Sequence, residues 1–147
     1  MTTHSETRKL PYSPEKMYDL VADVPSYPAF LPWVSAARER SRDESEELTV
    51  VEADLVISFK VFRERFGSRV RLWPKRRIET EYIEGPFSHM RSVWQFAEAE
   101  GGACEVHFFV DFEFRNRMLG AAAGLFFEDA MQRIVRAFER RAAELYG

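Results

Sequence analysis

Apolar and polar residues alternate with a period of two from residue 34 to residue 114. Over 48–59, Thr49, Val51, Ala53, Leu55, Ile57 and Phe59 share one face, opposite Glu52, Asp54 and Ser58. Over 61–73, Phe62, Glu64, Phe66, Ser68, Val70 and Leu72 oppose Arg63, Arg65, Arg69 and Arg71. Ile78, Thr80 and Tyr82 oppose Arg77, Glu79 and Glu81 in the next segment, and the even positions from Cys104 to Phe114 are apolar. Alternation over successive segments predicts an antiparallel sheet with one buried face and one wet face. Gly85-Pro86 and Gly101-Gly102 predict hairpin turns.

The flanks carry a different period. Residues 3–10 read as a short strand. Ser13 is a candidate N-cap with Pro14 at the first helical position, and Met17, Leu20, Val21 and Val24 recur at 3–4 spacing, which predicts a short helix over 14–23. Pro25, Pro28 and Pro32 then break any long helix, yet Tyr27, Phe30, Leu31 and Trp33 must be buried against something. From about 117 to 146, Phe127, Met131, Ile134, Phe138, Ala142 and Leu145 step by three or four, with Asp129–Arg133 and Arg140–Glu144 as i, i+4 pairs. A helix of about 30 residues is a rod of roughly 45 Å, long enough to cross a whole sheet. The pattern predicts an α+β architecture. A curved antiparallel sheet of about six to seven strands wraps a long C-terminal helix, with two short helices after the first strand.

Composition narrows the function classes. The 147 residues, 46% hydrophobic and 31% charged, suit one domain spanning 1–147 and exclude intrinsic disorder. A net charge of −3 argues against a protein built to coat nucleic acid, so no DNA partner is expected. The single cysteine, Cys104, excludes an internal disulfide framework, and His4, His89 and His107 have no metal-ligand spacing. The polar N-terminus lacks the apolar stretch of a signal peptide, and the longest nearly apolar run, Met118 to Phe127, is half a membrane span. A cytoplasmic protein able to visit the inner membrane surface is expected. Thirteen Phe and three Trp are a heavy aromatic load for a chain of this length.

Ser13-Pro14-Glu15-Lys16-Met17-Tyr18-Asp19-Leu20-Val21-Ala22-Asp23-Val24, followed by Tyr27-Pro28-Ala29-Phe30-Leu31-Pro32-Trp33, resembles the opening signature of the coenzyme-Q-binding START-like family. Phe66-Gly67-Ser68-Arg69-Val70, Gly85-Pro86-Phe87, Trp94-Gln95-Phe96, Val110-Asp111-Phe112-Glu113-Phe114 and the ending through Leu145-Tyr146-Gly147 continue the likeness in order along the whole chain. A second arginine, Arg141, before Ala142 is a departure. The resemblance implies a helix-grip (START-like) fold with an elongated apolar cavity between sheet and long helix. It implies a non-enzymatic carrier of ubiquinone or a related isoprenoid quinone, held as a ligand rather than a cofactor and presented to respiratory complexes. The same pattern occurs in ribosome-binding toxins of the RatA type, which implies the large ribosomal subunit as an alternative partner. Cyclases and dehydratases share the superfamily.

Candidate lining residues are Phe30, Leu31 and Trp33 of the Pro-rich segment, Leu55, Ile57, Phe62, Phe66, Ser68 and Tyr82 of the strands, then Trp94, Phe96, Phe108 and Phe112. Phe126 and Met131 are the candidates on the long helix, where Gly120 and Gly124 flank Ala121-Ala122-Ala123 and either admit a ligand or ease packing. Ser68 and Glu64 interrupt an apolar face; they either meet a quinone carbonyl or are turned outward by a bulge. Tyr82 either orients a head group or donates to the backbone. Asp111 and Glu113 read as a solvated pair, with no nucleophile beside them. Arg63, Arg65, Arg69 and Arg71, with Lys75, Arg76 and Arg77, form a basic face that either meets ribosomal RNA or anionic lipid, or pairs with Glu52, Asp54, Glu79 and Glu81.

Overall fold

A computed structural model describes residues 2–59 and 62–147, with the side chains at 59, 62, 119 and 122–127 outside the description. The chain opens with β1 (Thr2–Leu10), α1 (Pro14–Ala22) and a 3-10 helix (Val24–Ala29). Six strands follow: β2 (Val34–Glu44), β3 (Thr49–Phe59), β4 (Phe62–Trp73), β5 (Arg77–Glu84), β6 (Phe87–Glu98) and β7 (Cys104–Phe114). The last element is α2 (Arg117–Tyr146). Among the described residues seven strands form one antiparallel sheet in the order β1-β7-β6-β5-β4-β3-β2. The chain therefore starts at one edge, crosses to the other through α1, and meanders back until β7 lies beside β1.

Local chemistry sets the crossing. The Ser13 side chain accepts from the Lys16 amide at 3.2 Å, capping α1 and turning Met17, Leu20 and Val21 inward. Pro25 and Pro28 lack the amide hydrogens that an α-helix needs, so the next turn is 3-10. Tyr27 donates its hydroxyl to the Val21 carbonyl and ties that turn back to α1. The segment ends at Trp33, held at φ 67° with its carbonyl accepting from Ser58 at 2.7 Å. A bulky residue in the left-handed region is strained and persists only where its surroundings hold it.

The helix-grip expectation holds, with α2 spanning the residues read from the periodicity. Its C-terminal half is fixed by Val135, Phe138 and Ala142, all buried, and Tyr146 donates to the Lys16 carbonyl at 3.2 Å. Asp129–Arg133 forms at 2.9 Å, whereas Glu144 pairs with Arg141 at 3.5 Å rather than with Arg140. Among the described residues no helix is long and apolar enough to cross a membrane.

Candidate ligand site on the inner sheet face

Register places the inner-face side chains in rows. Ile57 opposes Glu64, Leu55 opposes Phe66, Ala53 opposes Ser68, and Ser68 opposes Tyr82 on the next strand. The β4–β5 pairing is irregular at Gly67/Ser68, yet Ser68 still points inward and is 2% exposed. The outward turn entertained for Ser68 therefore does not occur. Its hydroxyl reaches the Ala53 carbonyl only at 3.5 Å, a long contact. Glu64 shares the inner row but lies exposed at its end, toward the β3–β4 hairpin.

Tyr82 has the most informative environment. Its hydroxyl is buried and has no hydrogen-bond partner among the described residues, so the backbone partner open to it from sequence is not there. As register partners on adjacent strands, Ser68 and Tyr82 have β-carbons about 5 Å apart. Aromatic rings surround this pair. Phe87 lies edge-on to Phe66 and Tyr82, each with centroids at 5.6 Å, and packs on Phe114 at 4.8 Å and Phe112 at 5.8 Å. Gly85 makes this possible. At φ 136° it turns the β5–β6 hairpin so tightly that a β-carbon would lie 2.7 Å from that of Phe66.

Phe87, Phe114 and Met90 also lie on this inner face and were not among the sequence candidates. Counting back by two from Trp94 points Ser88 inward and Phe87 outward. A register shift between Phe87 and His89 reverses this for Phe87, which opposes Phe114, while Met90 keeps the parity of Trp94 and opposes Phe112.

Several candidate lining residues belong to the closed core instead. Trp94 packs on Phe108 at 4.5 Å and on Phe138 at 5.0 Å, and Phe30 and Tyr27 close over Phe138 at 5.3 and 5.5 Å. Phe96 meets Tyr18 edge-on at 5.9 Å. Leu31 and Met131 pack against this cluster, half-buried. The cavity left there, bordered by Trp94, Phe108, Phe138, Glu6, Arg8 and Glu139, is about 20 Å³, room for one water. Leu55 and Ile57 remain half-buried on the inner face beside Phe66. The side chains of Phe62 and Phe126, and Gly124 with them, lie outside the described residues; a β-carbon on Gly120 would stand 4.0 Å from that of Phe114, an ordinary contact.

The outer face is a lattice of ion pairs. Arg69 bridges Glu52 at 3.1 Å and Glu81 at 3.2 Å, and Arg71 also reaches Glu81, at 3.0 Å. These guanidinium groups, Arg71 first, hold the Glu81 carboxyl below its usual range. Arg65 and Arg40 each stand 3.1 Å from the buried Asp54. Opposite Asp54, Gly67 leaves the space that the Arg40 guanidinium fills. Arg91 and Arg77 pair with Glu79 at 2.6 and 3.4 Å, and His89 with Asp111 at 2.9 Å. Arg63 has no ion pair among the described residues. Cys104 is fully buried, and desolvation pushes its thiol up to about 11, which suits a packing role.

A seven-stranded antiparallel sheet gripping a long helix, its inner face lined by aromatic rings, defines a START-like binding protein. Residues 10–139 match the polyketide cyclase / dehydrase and lipid transport family, and the chain belongs to it. The ribosome association toxin RatA of Rickettsia prowazekii is 38% identical over 99% of both chains. The mitochondrial coenzyme Q-binding protein COQ10 homolog B of Xenopus laevis is 34% identical over 98% of this chain, which spans 59% of that longer protein. The solution structure of the 18 kDa protein CC1736 from Caulobacter crescentus superposes with a TM-score of 0.82 at 32% identity, covering 100% of this chain and 99% of that one.

Proposed function

We propose that the protein binds an isoprenoid quinone, ubiquinone in the first instance, and carries it without catalysis. The observation that supports this is the buried, unpartnered Tyr82 hydroxyl beside Ser68 among Phe66, Phe87, Phe112 and Phe114. A quinone supplies what that hydroxyl lacks, a carbonyl acceptor on a flat ring that fits between aromatic edges. Leu55 and Ile57 continue the inner face toward the hairpin end and receive the prenyl tail. Two buried isoprene units contribute about 8 kcal/mol gross at ~0.8 kcal/mol per carbon, the order needed for micromolar binding. No acid–base step is required of Glu64, which sits exposed at the rim. The carrier works from the cytoplasm at the inner membrane surface and delivers quinone to respiratory complexes. The coenzyme Q-binding relative supports this reading.

The decisive experiment is solvent extraction of freshly purified protein, with chromatography and mass detection for quinones, followed by titration of quinone-free protein with a short-tail ubiquinone read by Trp fluorescence. Stoichiometric quinone, or saturable quenching, is the expected result. An empty extract together with no quenching overturns the proposal.

A second reading, binding to the large ribosomal subunit, is supported by the RatA relative and by the arginine row. Arg65, Arg69 and Arg71 are each within 3.1 Å of a carboxylate, so RNA contact there would first break those pairs. Charge reversal at Arg63, Arg65 and Arg71 separates the two readings. It abolishes co-sedimentation with ribosomal subunits if the second is right and leaves quinone quenching intact if the first is.

A further inference from the structure

The β5–β6 turn, the end of β7 and the start of α2 meet at one end of the molecule, since Phe87 opposes Phe114. They are bolted into one rim. The Arg115 amide donates to the Pro86 carbonyl at 3.0 Å, and its Nε donates to the Phe87 carbonyl at 3.0 Å. Asn116 then starts α2, its side chain accepting from the Met118 amide at 2.8 Å. This geometry leaves Met118 82% exposed, and Ile83 at the same end is 38% exposed. An apolar side chain projecting this far from a hydrogen-bonded turn is able to enter an apolar phase.

Charge points to the kind of phase. Arg115 and Arg117 lie just before Met118, both exposed, and neither has an ion pair among the described residues. Of the outer-face arginines, Arg65, Arg69, Arg71 and Arg91 are paired with carboxylates, and among the described residues Arg63 alone of that row is not. Paired cations beside a protruding apolar side chain match the boundary of an anionic bilayer, where phosphates meet acyl chains. The rim also adjoins the ring cradle, since Phe87 and Phe114 belong to both.

We propose that the β7–α2 junction, Arg115 to Met118, is the surface by which the protein docks on anionic lipid membrane. The proposal rests on the quinone-carrier reading for its purpose: a ligand that dissolves only in bilayers reaches the cradle without crossing water. Arg115 and Arg117 face phosphates, and Met118 enters the acyl boundary.

The test is co-sedimentation with vesicles of phosphatidylcholine alone and with added phosphatidylglycerol, at low and moderate salt. Binding is expected only with phosphatidylglycerol, weakening as salt rises. Arg117→Gln is expected to weaken it about fivefold and Met118→Ser by a similar factor, with unchanged thermal unfolding because both side chains are exposed. Equal binding to both vesicles, none to either, or variants that bind as wild type overturns the proposal. So does loss of ribosomal-subunit binding in Arg117→Gln with no vesicle binding by wild type, which makes the rim an RNA contact. Quenching by soluble short-tail ubiquinone, measured alongside, separates the two readings. Intact quenching without vesicle binding removes the docking proposal alone, and vesicle binding without quenching removes the carrier reading while docking stands.

Discussion

Replacing Tyr82 with Phe removes one oxygen and nothing else, and the structure gives that change opposite signs in the two states of the protein. In the ligand-free chain the hydroxyl is buried without a partner among the described residues. A buried unsatisfied polar group costs about 1–3 kcal/mol, so its removal stabilises the empty protein by about 1 kcal/mol. The ring stays, and with it the edge contact to Phe87 at 5.6 Å. For a chain of this length that gain raises the melting temperature by about 2–4 °C. In the complex the same hydroxyl donates to a ligand carbonyl, and its loss removes a net ~1 kcal/mol, about fivefold in affinity. Thermal unfolding of quinone-free protein and a fluorescence titration with a short-tail ubiquinone, run on one preparation of each variant, read both effects. A more stable protein that binds more weakly is the expected pair. Destabilisation of the empty protein by Tyr82→Phe shows that the hydroxyl has a partner there, and unchanged affinity shows that it does not touch the ligand. Either result refutes the reasoning.

Gly85→Ala forces a β-carbon into Phe66 and strains a residue at φ 136°, so it destabilises the protein by about 2 kcal/mol or more in a denaturant titration and lowers quinone affinity with it. Stability also falls in acid. The Glu81 carboxyl is held below its ordinary 4.5 by Arg71 and Arg69, so the stabilisation is complete above that value and is lost as pH falls through it and then through the lower folded value. Melting temperatures recorded between pH 6 and pH 3 fall below about pH 4.5 in wild type and fall less in Glu81→Gln.

What the chain reveals before folding depends on whether two faces of an element meet different solvents. Strands β3, β4, β5 and β7 were legible because arginines and glutamates alternate with Val, Ile and Phe. The edge strand β2 carries Ser35, Arg38, Arg40, Arg42 and Glu44 with few apolar residues, and is held by pairing with β3 and by Arg40–Asp54 rather than by burial. The site was less legible than the fold. Phe87 escaped because a bulge breaks parity, and a bulge leaves no mark in residue type. The significance of Tyr82 escaped because a missing partner is a property of three strands together.

Core and cradle divide the inner face in a way that bears on how such a protein holds an apolar ligand and stays folded. Trp94, Phe108, Phe138, Tyr27 and Phe30 interlock under α1 and the C-terminal half of α2, with space left for one water. That half supplies stability whether or not a ligand is present. Phe66, Tyr82, Phe112 and Phe114 instead gather about Phe87 beside the Tyr82 hydroxyl, which has no partner among the described residues, and on the proposed reading this half is where a ligand adds most. Among the described residues Trp94 meets Phe96, Phe108 and Phe138, while Phe87 meets Phe66, Tyr82, Phe112 and Phe114, and one continuous core joins the two groups. Truncating Phe138 lowers stability by about 3–5 kcal/mol. Changes around Phe87 show themselves in the difference between the ligand-free and ligand-bound states, which is the quantity a carrier has to control.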